Sequence, residues 1–175
     1  MVNEIGKFAI VSWILEFAFL LCGVSTLGVF INKTDDVPHQ SDNIHALTYG
    51  LSVIIASLVC LSAIVTFHLS MKKSGSQNKT HGKMVFWSKI ILGFLLLTVT
   101  CVLANTHTNY DNHDINTSKG HVTFCRLLKN SYHRVSCDYL VVASTACFFA
   151  SFVLIVEAIH ETDLSSICKL RGGAI

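Results

Sequence analysis

A carboxylate set deep in an oily run is the first residue whose chemistry has to be explained. Glu16 lies eight residues into the apolar stretch that begins at Phe8, about 12 Å along a helix at 1.5 Å per residue. An ionisable side chain at that depth is expensive in hydrocarbon and faces protein or a water-filled cavity. Two readings stand side by side. Glu16 is a proton or cation site, or a contact to a partner's helix. Alternatively it is a protonated or hydrogen-bonded carboxyl facing the serines and threonines of the second or fourth apolar run. Glu157, His160 and Lys89 lie nearer the ends of their runs, and the expectation is that all three snorkel to the headgroups. Glu16 then has no second buried charge beside it.

Seven cysteines divide by place. Cys22, Cys60, Cys101 and Cys147 fall inside apolar runs, where a thiol is a small, soft packing group. Cys125 and Cys137 share the one long polar segment, with eleven residues between them. On the outer side of a membrane this pair predicts a disulfide, contributing on the order of 3 kcal/mol by restricting the unfolded loop. Cys168 follows the last apolar run, a position open to S-acylation or to a free thiol. No C-x-x-C pair sits at a membrane face, which disfavours quinone-linked thiol exchange.

Six of the nine histidines (His39, His45, His107, His113, His121 and His133) lie in the polar segments assigned to the outer side. None shows the short recurrent spacing of a zinc site, so no metal is expected. Between the paired cysteines the basic residues are Arg126, Lys129, His133 and Arg134, with no acid among them. A tied basic lobe of this kind could steer an acidic ectodomain into place. No Ser-His-Asp arrangement, H-E-x-x-H or phosphate-cradling glycine loop is present. The chain is therefore expected to be non-enzymatic and without a cofactor.

The elements that position these residues are legible from composition. The chain has 175 residues, 51% hydrophobic and 14% charged, with Pro38 its single proline, too apolar for an average soluble domain. Apolar residues fall in four blocks, 8–31, 46–69, 84–104 and 139–159. Each is long enough to cross a hydrocarbon core of roughly 30 Å as a helix. The first block is too long for a signal peptide and no small-x-small cleavage site follows it, so it reads as a signal anchor. The predicted fold class is all-α: a four-transmembrane-helix bundle forming one membrane domain. Its outer loops are 32–45 and 105–138, its cytosolic linker 70–83 and its tail 160–175.

Orientation follows from lysine and arginine. With both termini cytosolic, the inner side carries Lys7, Lys72, Lys73, Lys79, Lys83, Lys89, Lys169 and Arg171, against Lys33, Lys119, Arg126, Lys129 and Arg134 outside. The sequon at Asn116 falls in the long outer loop and suits glycosylation, whereas the one at Asn32 abuts the membrane, beyond the transferase's reach. Small residues recur at i, i+4, i+8 as Ala143, Cys147 and Ser151, and again as Ser52, Ala56 and Cys60. Such faces let helices approach closely in lipid, either sealing the bundle or receiving a partner's helix.

The segment Phe19-Leu20-Leu21-Cys22-Gly23 resembles the opening helix of the transmembrane protein 179 family. Cys125 and Cys137, between the third and fourth runs, are similar to that family's paired loop cysteines. The chain departs from the family in its short, cysteine-free first loop and its shorter tail. The first-loop tryptophan and cysteine signature of claudin-like proteins is absent, which disfavours paracellular sealing. The resemblance implies the tetraspan architecture and no defined activity.

The functional expectation is an accessory subunit of a plasma-membrane channel, receptor or adhesion complex. It would bind other integral membrane proteins through a helix face and through the second outer loop, with Arg126, Lys129, Arg134, Ala143, Cys147 and Ser151 as contact residues. The alternative is a self-assembling cation pore with Glu16 near the path. The only other partner expected is the lipid bilayer; nucleic acid is excluded by compartment.

Overall fold

The computed structural model describes residues 2–34, 44–74, 79–112, 114–117, 120–129 and 135–172, with side chains over 8–34, 44–70, 82–112, 122–129 and 135–160. The four apolar runs form α1 (Val2–Thr34), α2 (Ile44–Ser74), α3 (Lys79–Asn112) and α5 (Asp138–Gly172). Between α3 and α5 lie strands β1 (Asp114–Thr117) and β2 (Gly120–Thr123) and the single-turn helix α4 (Phe124–Leu127). Within the four helices, Phe8–Thr34, Ile44–Ser70, Gly82–Asn112 and Asp138–His160 are long and apolar enough to cross a membrane. Helices satisfy every backbone group internally, as a hydrocarbon medium requires.

α1 packs on α2 and α5, and α3 packs on the same two, so the order around the bundle is α1-α2-α3-α5. Neighbours run antiparallel. Phe8 lies beside His160, with ring centroids 4.7 Å apart, and Phe19 lies beside Phe149 at 5.6 Å. Those contacts bring the first and last helices together at the end of the bundle where the chain begins and ends.

The core is a column of leucines, Leu20, Leu27, Leu61, Leu96, Leu103, Leu140 and Leu154 among them, each fully enclosed. Large apolar side chains such as Ile14, Leu21, Val59, Ile91, Phe94 and Phe152 point outward from every span. Water would not tolerate so continuous an apolar exterior on a monomer, whereas acyl chains do. Hydroxyls inside the spans return to the preceding turn: Ser62 Oγ donates to the Leu58 carbonyl at 2.7 Å and Thr145 Oγ1 to Val141 at 2.7 Å. That local bond removes the penalty of a polar group in lipid.

The long polar segment departs from the expected loop. α3 continues through Asn105–Asn112 for two further turns. Asparagine, threonine and aspartate are weak helix formers, but the buried stripe of α3 runs on through Leu103, Thr106 and Tyr110. Tertiary packing of Tyr110 outweighs local propensity here. β1 and β2 then pair antiparallel, Asn116 opposite His121 and Ile115 opposite Val122.

Candidate functional site: a buried charged layer and a disulfide-tied lobe

Among the described residues, two carboxylate side chains and one ammonium are enclosed within the spans. Glu16 on α1 is 0% exposed, Lys89 on α3 1% and Glu157 on α5 1%. Lys89 Nζ lies 3.1 Å from Glu157 Oε1, an ion-pair distance. The expected snorkelling of Lys89 and Glu157 is thereby corrected. Each stands on the buried stripe of its own helix, in phase with Leu92, Leu96 and Val99 on α3 and with Ala150 and Leu154 on α5. Both are aimed across the α3–α5 seam, so they pair inside the protein. His160, one turn beyond Glu157, is exposed.

Interpolating between the Phe8–His160 and Phe19–Phe149 contacts places Ser12 level with Glu157 and Glu16 about one turn deeper. Ser12 is buried. Trp13 Nε1 is enclosed without a hydrogen-bond partner among the described residues, and its ring meets His68 of α2 edge-on at 5.5 Å. The Lys89–Glu157 pair and the Trp13–His68 contact thus both lie toward the end of the bundle where Phe8 meets His160. Glu16 is fully enclosed by the bundle.

Ala143, Cys147 and Ser151 are each 0% exposed. A Cβ on Gly23 of α1 would lie 3.6 Å from Cys147 Sγ, and Ser151 Oγ donates to the Gly93 carbonyl of α3 at 2.8 Å. The assignment of these three residues to a partner's helix is therefore corrected: the chain's own α1 and α3 cover them. Ser144 Oγ adds a bond to the Thr100 carbonyl at 3.2 Å on the same seam. The second small-residue face behaves differently. Ser52, Ala56 and Cys60 are all exposed, and α2 is the least enclosed of the four spans.

At the opposite end of the bundle, Cys125 and Cys137 are joined by a disulfide, with their Cα atoms 5.5 Å apart. The lobe has its own apolar floor. Tyr110 stacks on Phe124 at 4.5 Å and lies 6.4 Å from Phe30, with Leu128 and Val135 buried alongside. The sequence reading missed this floor, although Phe124, Leu127, Leu128 and Val135 are an unusual density of apolar residues for a solvated loop. Arg126 and Lys129 are exposed on the lobe; Arg134 lies outside the described residues. Asn116 is on β1, its side chain outside the described set, as is that of Cys168. Asn32 is exposed on the last turn of α1, but the hydroxyl of Thr34, the third residue of its sequon, is buried and donates to the Phe30 carbonyl at 2.7 Å.

Among the described residues, no group of three or more histidine, cysteine, aspartate or glutamate side chains could hold a metal ion. Compared with known proteins, the chain matches no family model, no curated protein and no solved structure.

Proposed function

We propose that this chain is a non-enzymatic tetraspan accessory subunit of a larger plasma-membrane assembly, a channel, receptor or adhesion complex, with both termini cytosolic. The observation that carries the proposal is the contrast between two faces of the same type. The stripe on α5 is consumed inside the bundle, whereas Ser52, Ala56 and Cys60 on α2 face outward. Small side chains on a lipid-facing surface leave a shallow track into which another helix can settle. α2 therefore takes the helix-docking role that the sequence offered to α5. The lobe supplies the second contact, with Arg126 and Lys129 presented to an acidic ectodomain. The tetraspan outline shared with the transmembrane protein 179 family is compatible with this role.

Burial of Glu16 weighs against the pore alternative. A cation path between copies of the chain would run along outer faces, whereas Glu16 is fully enclosed within a single bundle.

The test is mild-detergent recovery of a tagged full-length chain with whatever membrane protein accompanies it. Ala56→Leu fills the track and is expected to remove about 1 kcal/mol of helix packing, or about fivefold of the recovered partner. Thr98→Leu, on the lipid-exposed side of α3, is the control and leaves recovery unchanged. Equal recovery for Ala56→Leu and wild type would remove α2 from the interface.

Cys125→Ser is expected to loosen the lobe by about 2 kcal/mol, the low end of disulfide effects, because the Tyr110–Phe124 stack still holds its base. The four spans stay inserted while surface expression or partner recovery falls. Normal assembly by the variant would exclude the lobe from the contact.

A further inference from the structure

We propose that the end of the α2–α3 hairpin binds an anionic phospholipid, its headgroup beside Lys83 and its upper acyl chain along the lipid-facing side of α3. The first observation is one of charge. No aspartate or glutamate occurs between Asp42 and Asp111, so neither α2 nor α3 as far as Tyr110 carries an acid. Lys72 and Lys73 stand in the last turn of α2, and Lys79 and Lys83 in the first turns of α3. Four lysines at the ends of two neighbouring spans make the kind of cluster that attracts anionic lipid. The opposite end of the bundle differs. There the exposed Arg126 and Lys129 are accompanied by the exposed Asp111 and Asp138, which offset their field.

An independent observation points to the same occupant. Lys83, Trp87, Ile91 and Leu95 recur every fourth residue on α3, and all four are exposed. They share one helix face, each about 6 Å deeper than the last. Trp87 is 60% exposed and braced edge-on by Phe86, with ring centroids 5.6 Å apart. An ammonium, an indole N–H and two branched apolar side chains follow the order of a phospholipid: charged headgroup, ester carbonyl, acyl chain. Indoles favour the ester level, where one edge can donate and the ring stays in apolar surroundings. Phe67 on α2 and Met84 on α3 are also exposed toward this end.

The site does not depend on which helix settles against α2. From the proposed orientation it takes only the leaflet: with both termini cytosolic, this end meets the leaflet rich in anionic lipid. Phosphatidylcholine and phosphatidylserine share the phosphate, but the choline cation neutralises it, whereas the serine headgroup keeps a net negative charge. Lysines placed only as an orientation signal would give no preference between the two.

The chain has two tryptophans, Trp13 and Trp87, and Trp13 is enclosed at 9% exposure. Fluorescence quenching by acyl-brominated lipid therefore reads Trp87. The full-length protein is placed in phosphatidylcholine vesicles doped with brominated phosphatidylserine or, at the same mole fraction, brominated phosphatidylcholine. The brominated serine lipid is expected to win the position beside Trp87 by about fivefold, the equivalent of one lysine's attraction to an anionic surface. Lys83→Gln brings the two lipids close to parity, and high salt does the same. Lys129→Gln, at the far end of the bundle, keeps the preference. Equal quenching by the two lipids in wild type overturns the site. So does a preference that survives Lys83→Gln or falls equally with Lys129→Gln. Loss of the preference to added inorganic phosphate at matched ionic strength would make a soluble anion the occupant and overturn the lipid. Both leaflets of these vesicles hold both lipids, so either direction of insertion gives the same reading, and failure here is distinct from failure of the proposed orientation.

Discussion

Lys89→Met is expected to destabilise the bundle by about 3 kcal/mol, the lower bound for breaking a buried ion pair from one side. The low end applies because a carboxyl left without its ammonium can take up a proton, which removes the charge but not the lost attraction. What remains is an unfilled acceptor in hydrocarbon beside a methionine that cannot donate. The double variant Lys89→Met/Glu157→Met should recover most of the deficit, to within about 1 kcal/mol of wild type, since apolar replacement of a whole buried pair is often neutral. Reversible unfolding in mixed micelles reads both. The decisive quantity is the coupling energy of the double-mutant cycle. If the double variant is as unstable as the sum of the singles, the 3.1 Å approach of Lys89 to Glu157 contributes nothing specific.

Why that pair was not legible in the sequence is a question of phase. Each residue read alone lies within reach of a membrane surface, and snorkelling is the ordinary fate of such a side chain. The information was present in the register of the stripes. Continuing the buried positions of α3 backwards from Leu103 through Val99, Leu96 and Leu92 arrives at Lys89, and continuing those of α5 forwards from Cys147 through Ala150 and Leu154 arrives at Glu157. Spans made almost wholly of apolar residues blunt that signal, because lipid-facing and core-facing positions are equally greasy. The spans themselves were easy for the same reason: uninterrupted apolar length has one reading in a membrane.

The long polar segment shows the converse failure. Asn105–Asn112 looks like loop by composition, yet Thr106 and Tyr110 fall on the buried stripe of α3 and carry the helix onward. Tyr110 then serves as the floor on which Phe124 stacks. Two aromatics far apart in a polar context, each unremarkable alone, became one contact only when α3 was long enough to bring them together. The lobe is thus built on the bundle, with Phe124 resting on Tyr110 of α3.

Gly93→Leu should separate α3 from α5 and cost about 3 kcal/mol, the upper part of the usual overpacking range. Even a Cβ at Gly93 would lie 2.9 Å from Ile155 Cγ1 and 3.6 Å from the Ser151 carbonyl oxygen. Cγ1 is held close to its own backbone, so Ile155 cannot clear the space by swinging a distal atom. A leucine must therefore push the helices apart at the point where Ser151 Oγ donates to the Gly93 carbonyl. The ion pair one turn away would lengthen with it, since Lys89 precedes Gly93 by four residues and Glu157 follows Ser151 by six. Gly93→Ala is the graded partner, expected to lose about 1 kcal/mol, because a rotamer change at Ile155 can absorb part of a single methyl. The reading is again unfolding in mixed micelles. If Gly93→Leu unfolds like wild type, the α3–α5 seam is not closely packed at this point. Loss of stability is expected, because one close helix approach holds the carbonyl, the hydroxyl and the ion pair in register.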